Sequence, residues 1–279
     1  YGNIAGVEKK VSRIGIGTML GGAVIQLPHI SIMLDEFFSR GGNLIDTAFV
    51  YGISDKMLGQ WINNRGVREE VVVLAKGAHT PFCNPEDLTA QFMQSLEAMG
   101  TDYADIYMMH RDNTEIPVGE FIDLLNEHRN AGRMRAFGVS NWTLERINEA
   151  NAYAKSKGLT GFSAISNYFG LARMVDAPWA DCLSCTDMQS RQWLAETSMP
   201  NISWSSQAQG FFALGREDNL SNPNLVRCWY SEDNFRRLER ARELGRQKGV
   251  SAATIALAYV LNQNLDMYAL TGPSSISEM

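Results

Sequence analysis

The sequence has no excess of basic residues. Its 25 Lys and Arg residues are outnumbered by 31 Asp and Glu residues, which gives a formal net charge of −6. Nucleic acids and anionic membranes usually select a basic surface, so we expect neither as a partner. No run of about 18 apolar residues is present, and the opening YGNIAGVEKK lacks the segments of a signal peptide. These absences predict a cytoplasmic protein without a membrane span.

Cysteine is also scarce. The four cysteines, at positions 83, 182, 185 and 228, are too few and too irregular for a disulfide framework, so we expect reduced thiols. Cys182 and Cys185 form a CLSC pair, but a zinc site needs four ligands and no second pair follows. His29, His79 and His128 have no metal-ligand spacing, and we interpret them as loop or helix-surface residues. No metal site is predicted.

The first apolar run is not followed by the G-x-G-x-x-G pattern of an open dinucleotide-binding sheet. Instead, short apolar runs recur at roughly 30-residue intervals and alternate with helix-like stretches. The runs are RIGIG from 13, NLID from 43, VVVLA from 71, ADIYMM from 104, MRAFGV from 134, FSAIS from 162, NISWS from 201 and MYALTG from 267. This repeat predicts an α/β protein with a single (β/α)8 TIM barrel domain over residues 1–279.

The helix-like stretches carry recognisable start and stop signals. Residues 84–100 offer Asn84 or Asp87 as a cap and Gly100 as a stop. About 45 residues separate Trp204 from the helix near 251–263, and they contain a loop and an additional helix, EDNFRRLERARELGRQKG. The chain stops at GPSSISEM, where the helix after the eighth strand would begin, so the barrel is expected to lack its final helix and carboxyl-terminal tail.

Polar and ionisable residues stand where the predicted strands end. Asp46 and Tyr51 follow the second strand, Lys76 follows the third and His110 follows the fourth. In a (β/α)8 barrel, the carboxyl ends of all strands lie on one face, which is where active sites are built. We therefore expect these four side chains to meet.

The chemistry of the four residues suits proton delivery by a phenol. A tyrosine has an ordinary pKa near 10, and a nearby ammonium lowers it by favouring the phenolate. Lys76 is predicted to act in this way on Tyr51, while Asp46 keeps the ammonium charged and in place. His110 is predicted to orient a substrate carbonyl or to share the proton transfer.

Four motifs in order along nearly the whole chain resemble one family. DTAFVYG, LAKG, MMHRD and GRMRAFGVSN are similar to signatures of the aldo-keto reductases. The resemblance implies a (β/α)8 barrel and reversible, nicotinamide-dependent reduction of an aldehyde or ketone. It also implies a catalytic tetrad of Asp46, Tyr51, Lys76 and His110, in which Tyr51 is the acid.

The resemblance extends to the cofactor site. Ser140 and Asn141 match the pair that binds the nicotinamide carboxamide in the family, and Ser166 stands beside the place of a missing glutamine and substitutes for it. Trp204 matches an aromatic residue that stacks on the nicotinamide, and Ser205 begins a phosphate-side loop.

The last residues resemble the family's adenosine-side loop. Gly272, Ser274 and Ser275 match the loop that holds the ribose or the 2′-phosphate, and Glu278 stands where many NADP-using members have an arginine. A carboxylate suits a free 2′-hydroxyl and repels a phosphate. The expected cofactor is therefore NADP(H) or NAD(H), with the preference between them open.

Three functions are compatible with these residues: an oxidoreductase for a small carbonyl or alcohol substrate, a nucleotide-binding regulatory subunit with little turnover, and a barrel isomerase or aldolase that uses Lys76 or a metal. The complete tetrad favours the first. Polar loops favour a hydroxylated substrate such as a sugar or polyol, with Met19, Leu20, Trp142 and Phe211 as pocket walls. Oligomeric state is not predicted.

Overall fold

Eight parallel strands close into a barrel in sequence order, as predicted. The computed structural model describes residues 1–19 and 27–279, without the side chain of residue 27. The strands are β1 (Ile14–Gly17), β2 (Leu44–Ala48), β3 (Val72–Gly77), β4 (Ala104–Met109), β5 (Met134–Ser140), β6 (Ala164–Ser166), β7 (Asn201–Ser203) and β8 (Met267–Thr271). Each overlaps one of the apolar runs, so the (β/α)8 prediction is confirmed. Residue 20, one of the predicted pocket walls, lies outside the described residues.

Helices lie between the strands, as the alternating pattern predicts. They are α1 (Leu27–Ser39), α2 (Ser54–Arg65), α3 (Pro85–Met99), α4 (Val118–Asn130), α5 (Leu144–Lys157), α6 (Met188–Thr197), α7 (Phe211–Leu214), α8 (Pro223–Trp229), α9 (Glu232–Lys248) and α10 (Ala252–Leu261). Asn84 caps α3 by accepting the Asp87 backbone N–H at 2.9 Å, and Gly100 ends it in a left-handed conformation. The additional helix predicted after Trp204 is α9; the shorter α7 and α8 carried no clear sequence signal.

The chain packs as two compact units, and the prediction of a single domain stays a prediction. The first unit comprises Tyr1–Ser166 with Gly272–Met279, and the second comprises Asn167–Thr271. The second unit has a core of buried aromatic and aliphatic side chains that includes Tyr168, Phe211 and Trp229.

Strand register in the first unit explains which polar side chains share a face. Asp46 of β2 lies opposite Leu74 of β3, and Lys76 of β3 lies opposite Met108 of β4. Side chains two residues apart on a strand point to the same face. Lys76 therefore shares a face with Asp46, and His110, which follows Met108 by two positions, continues the same row.

The row of polar residues extends to β6. Ser140 of β5 lies directly opposite Ser166 of β6, and Gly138, two positions earlier on β5, lies opposite Ala164. A Cβ at Gly138 would lie 2.0 Å from the Ala164 carbonyl oxygen, so only glycine permits this approach of the two strands. The glycine in GVSN is thus needed to bring Ser140 and Ser166 together.

Candidate active site

Asp46 and Lys76 form a buried ion pair at the carboxyl ends of β2 and β3. The ammonium donates to the Asp46 carboxylate, and both side chains are almost completely excluded from solvent. A buried charge is costly unless it is paired, because it has lost its hydration. The pairing explains how a lysine can stay ionised at the end of an apolar strand.

Tyr51 and His110 lie against this pair. A short 3-10 helix, Phe49–Tyr51, follows β2 and places the Tyr51 ring with its centroid 5.8 Å from the Lys76 Nζ. The Tyr51 and His110 ring centroids are 5.9 Å apart, with the rings nearly perpendicular. The structure therefore brings together all four side chains of the predicted tetrad. Asp46 and Lys76 lie within β2 and β3, whereas Tyr51 and His110 follow β2 and β4.

Burial and the ion pair act in opposite directions on the pKa values of both partners. Burial lowers the pKa of Lys76, but the Asp46 carboxylate and the Tyr51 oxygen raise it by more, so its pKa lies above the ordinary value. Burial raises the pKa of Asp46, and the contact with Lys76 opposes that shift. Lys76 consequently remains a fixed positive charge beside the phenol.

The pKa of Tyr51 differs from the sequence-based expectation. Burial raises it, and this effect outweighs the opposing charges of Lys76 and Arg111, so the net pKa lies above the ordinary value. Lys76 acts in the expected direction, but the prediction of a lowered pKa is wrong. The raised pKa favours the protonated phenol.

His110 is a neutral imidazole. Burial lowers its pKa well below the ordinary value, and the nearby charges of Lys76 and Arg111 act in the same direction, as does His79. Its Nδ1 is buried without a hydrogen-bond partner among the described residues. A neutral imidazole carries one N–H donor and one lone pair, so His110 is suited to orient a carbonyl group rather than to carry a positive charge.

Acidification is expected to reduce stability through His110. Because its folded pKa lies below the unfolded value near 6.5, the unfolded state binds more protons, and stability falls as the pH drops below about 6.5, by at most about 1.4 kcal/mol per pH unit. Urea unfolding near pH 7.5 and near pH 5.5 should show a larger loss in the wild type than in His110→Gln. Replacement of the exposed His29 by Gln is the matched control, and equal losses in wild type and His110→Gln would contradict the assignment.

A hydrogen-bonded carboxyl group anchors the segment that carries Tyr51. Asp55, in the first turn of α2, accepts from the Thr47 hydroxyl at 2.6 Å and from the Ser95 hydroxyl at 2.7 Å, and all three residues are buried. Burial raises the Asp55 pKa, while these two hydrogen bonds act against that shift. Sequence reasoning missed this anchor. The polar Thr47 within an apolar strand and the acid at the helix start were its only signals.

Ser140, Asn141 and Ser166 lie together at the ends of β5 and β6. The Ser140 hydroxyl donates to the Ser166 backbone carbonyl at 2.8 Å, and the Asn141 side-chain amide donates to the Ser140 hydroxyl at 3.0 Å. Asn141 has a φ of 60°, a left-handed conformation that asparagine tolerates better than most residues. All three are buried, so the residues predicted to bind the nicotinamide carboxamide form one polar cluster.

The segment after β8 folds on itself. The Glu278 carboxylate accepts from the Ser274 backbone N–H at 2.8 Å and from its hydroxyl at 2.9 Å. Ser275 precedes the short 3-10 helix Ile276–Glu278, and Gly272 follows β8 directly. The Glu278 carboxylate thus accepts both hydrogen bonds that Ser274 can donate. Ser274 belongs to the loop that was predicted to hold the adenosine ribose or its 2′-phosphate.

Trp204 and Ser205 follow β7 in the second unit. The Trp204 ring packs against Tyr168, with ring centroids 5.4 Å apart, and Ser205 has a left-handed φ of 48°. Trp204 also contacts Trp179 edge to face. Their predicted contacts with a nucleotide stay predictions.

Two of the predicted pocket walls are core residues. Trp142 is fully buried between Phe121 and Phe162, and Phe211 is fully buried in the core of the second unit. Neither presents a free surface to a ligand, so this part of the pocket prediction is wrong. Met19, in contrast, is 49% exposed.

The cysteines agree with the sequence-based expectation. All four are free and buried, including Cys182 and Cys185 of the CLSC pair. Over residues 1–19 and 27–279, no group of three His, Cys, Asp or Glu side chains has the arrangement of a metal site. In the same part of the chain, no helix combines the length and apolar character needed to cross a membrane.

A charged groove of about 780 Å³ lies within the second unit, between residues 216–218 and α9. Its arginines are largely paired with neighbouring acids on the same helix: Arg236 with Glu232 at 2.6 Å, and Arg242 with Glu239 at 2.5 Å. Such exposed pairs contribute little to stability or binding. None of the predicted site residues lines this groove.

Comparisons with known proteins agree with the fold. A norsolorinic acid reductase of Emericella nidulans is 26% identical over 88% of this chain, which spans 65% of that relative's length. An aryl-alcohol dehydrogenase of Pestalotiopsis microspora is 31% identical over 47% of this chain and 38% of its own length. An aldo-keto reductase from Klebsiella pneumoniae, solved in complex with NADPH, superposes with a TM-score of 0.73 at 23% identity, covering 96% of this chain and 83% of that one. The model of the Aldo/keto reductase family matches residues 13–279, and the chain therefore belongs to that family.

Proposed function

We propose that this chain is an oxidoreductase that reduces an aldehyde or ketone to the alcohol with NADH or NADPH, and that Tyr51 is the proton donor. The observation that carries the proposal is the close grouping of the buried Asp46, Lys76 and His110 with the half-buried Tyr51 at adjacent strands. Family membership and the likeness to a reductase solved with NADPH support the same reaction.

The residues divide the reaction between them. A bound reduced nicotinamide would supply a hydride to the carbonyl carbon. Tyr51 gives its hydroxyl proton to the carbonyl oxygen as negative charge develops there, which leaves the alcohol and a phenolate. Lys76 and Arg111 favour that phenolate electrostatically, and Asp46 keeps the ammonium in place. The neutral His110 orients the carbonyl by a hydrogen bond.

Three groups of residues are proposed to hold the nucleotide. Ser140, Asn141 and Ser166 provide the buried polar cluster for the carboxamide. Trp204 offers its ring for stacking, and Ser205 begins the loop for the phosphates. Residues 272–278 are proposed to meet the adenosine ribose.

Glu278 is proposed to favour NADH over NADPH. Its carboxylate holds both Ser274 donors, and it would repel a 2′-phosphate in the same place. Tryptophan fluorescence titration should show tighter binding of NADH in the wild type, and Glu278→Gln should gain NADPH affinity by roughly tenfold, equivalent to about 1.4 kcal/mol. Glu97→Gln on α3 is the control, because it removes one negative charge at a different place in the chain. Tighter NADPH binding by the wild type would reject this preference.

The rim of the site favours an apolar or aromatic substrate. Met19, Val50 and Phe82 lie in the loops after β1, β2 and β3, and their side chains are 49%, 48% and 54% exposed. A substrate with an apolar body would cover such side chains favourably. The name of the aryl-alcohol dehydrogenase relative points to the same class. The alternative substrate, a sugar or polyol, rests on the polar loops SSQAQG and GLARMVDAPWADC.

Initial-rate assays test the function directly. Oxidation of NADH and NADPH should be followed with benzaldehyde, an aliphatic aldehyde and an aldose, and the first is expected to have the highest kcat/KM. Faster reduction of the aldose would support the polyol class instead. Saturable nucleotide binding without turnover of any carbonyl would favour the regulatory subunit. The small-molecule substrate and the cytoplasmic location remain predictions.

A further inference from the structure

We propose that His79 is a second histidine of the reaction site and that its Nε2 accepts a hydrogen bond from a hydroxyl group on the substrate. The preferred substrate is then a hydroxylated aromatic aldehyde or ketone. This inference rests on the proposed carbonyl reduction and adds a specificity-determining residue to it. The interpretation of His79 as an ordinary loop residue, which its isolated spacing favours, is replaced by this one.

His79 lies directly against a tetrad side chain. Its ring centroid is 4.9 Å from that of His110, and the two rings are nearly perpendicular. His110 in turn contacts Tyr51, so the three rings form a continuous row. Tyr51 and His79 therefore both contact the imidazole of His110, which is proposed to orient the carbonyl. A substrate bound at His110 therefore lies within reach of His79.

The backbone before His79 is fixed. The Ala78 N–H donates to the Gln91 side-chain oxygen at 2.9 Å, and the Ala78 carbonyl accepts the Arg111 N–H at 3.3 Å. Ala78 is buried and has a left-handed φ of 54°, which turns the chain out of β3. The position of His79 is thus set by the barrel strands and α3.

The hydrogen bonding of His79 defines its tautomer. Its Nδ1 lies 2.9 Å from the Thr80 carbonyl oxygen, which can only accept, so Nδ1 carries the proton. In the neutral imidazole, Nε2 then presents a lone pair. Within the part of the chain that the structure describes, no group forms a hydrogen bond to this nitrogen, and the side chain is half-buried. The Nε2 of His79 is therefore an acceptor held in a fixed position, which suits a hydroxyl donor on the substrate.

The two histidines have complementary tasks. A carbonyl oxygen needs a donor, which His110 and Tyr51 supply, whereas a hydroxyl proton needs an acceptor, which His79 supplies. Val50 follows β2, as Tyr51 does, and Phe82 follows β3, as His79 does. Their apolar side chains suit the aromatic ring of a substrate whose carbonyl and hydroxyl groups bind these polar residues. Sites that hydrogen-bond a substrate hydroxyl discriminate strongly against analogues that lack it.

A matched set of aldehydes distinguishes a hydrogen bond from the substrate hydroxyl to His79 from a role of His79 in packing alone. In 3-hydroxybenzaldehyde, the hydroxyl is too far from its own carbonyl to bond to it, 3-methoxybenzaldehyde has the oxygen without the donor, and benzaldehyde has neither. Wild type, His79→Phe and His79→Gln should be compared. Phenylalanine keeps a ring against His110, and glutamine keeps an acceptor oxygen.

The expected result is a loss confined to one substrate. His79→Phe should lower kcat/KM for 3-hydroxybenzaldehyde about tenfold, the equivalent of about 1.4 kcal/mol, and leave the other two nearly unchanged. His79→Gln should recover part of the loss. An equal loss on all three aldehydes, or no loss, would overturn the proposal, because either result leaves only a packing role.

Failure of the underlying reaction can be recognised separately. If the wild type reduces none of the three aldehydes, the proposed function fails, and calorimetric binding of the same aldehydes in the presence of NADH decides the role of His79. The proposal then requires weaker binding of 3-hydroxybenzaldehyde to His79→Phe than to wild type, with 3-methoxybenzaldehyde unaffected. Equal affinities would reject it.

Discussion

Tyr51→Phe is expected to lower kcat about 10²–10⁴-fold, the range for loss of a positioned general acid, while the affinity for the nucleotide stays nearly unchanged. Phenylalanine keeps the ring contact with His110 and removes only the hydroxyl that donates the proton. The Lys76 ammonium keeps its partner Asp46, so the buried charges remain paired. Stopped-flow and steady-state assays with a saturating aldehyde, together with fluorescence titration of NADH, measure the two quantities separately.

A second tyrosine provides the control for this prediction. Tyr153 on α5 has a hydroxyl that donates to the Asp123 carboxylate at 2.9 Å, and it is far along the chain from the tetrad, on a helix surface. Tyr153→Phe should leave kcat unchanged. Equal activity of Tyr51→Phe and wild type would sink the proposed mechanism. If Tyr51→Phe loses nucleotide binding as well as turnover, the result would indicate that Tyr51 has a structural role.

The tetrad could be predicted because its signals are local. Apolar runs identify the strands, and an ionisable residue that directly follows such a run must lie at a strand end. Lys76 is the last but one residue of β3, and His110 directly follows β4. The strand register that places them on one face comes from the structure and was not predicted from the sequence. Asp46 was predicted at the end of its strand, whereas the structure extends β2 two residues beyond it, to Ala48.

The properties that depend on burial and on loop conformation could not be predicted from the sequence. The pKa of Tyr51 rises because desolvation outweighs Lys76, and the degree of desolvation depends on packing from several segments. His79 was interpreted as an ordinary loop residue because its contact with His110 depends on the turn at Ala78. Trp142 was predicted to be a pocket wall, yet it packs between two phenylalanines that come from distant positions in the chain.

Short elements in the second unit were missed for a related reason. α7 and α8 have four and seven residues, too few for a helical period to stand out from the surrounding loop. α9, with 17 residues and a serine cap, was predicted correctly. Stability of such short helices comes from tertiary packing rather than from local preference. Phe211 and Trp229, which these helices bury, supply that packing.

Removal of the Lys76 charge is expected to damage both stability and catalysis, and a double-mutant cycle separates the two. Lys76→Met leaves the Asp46 carboxylate buried without its partner, which should cost about 3–5 kcal/mol of unfolding free energy. In Asp46→Asn combined with Lys76→Met, neither charge is present, so most of the stability should return. The double variant should nevertheless remain inactive, because nothing favours the Tyr51 phenolate.

The pH dependence of the single variant provides an independent check. Without Lys76, only burial and the charge of Asp55 act on Asp46, and both raise its pKa, so the folded pKa lies further above the unfolded value. The folded state then binds more protons, and stability falls as the pH rises from the unfolded value of about 3.9 towards the folded pKa. Urea unfolding of Lys76→Met should therefore show a larger deficit at neutral pH than near pH 5, whereas the double variant should show no such trend. Strictly additive effects of the two substitutions at both pH values would mean that the pair is not coupled, and the electrostatic account of Tyr51 would lose its basis.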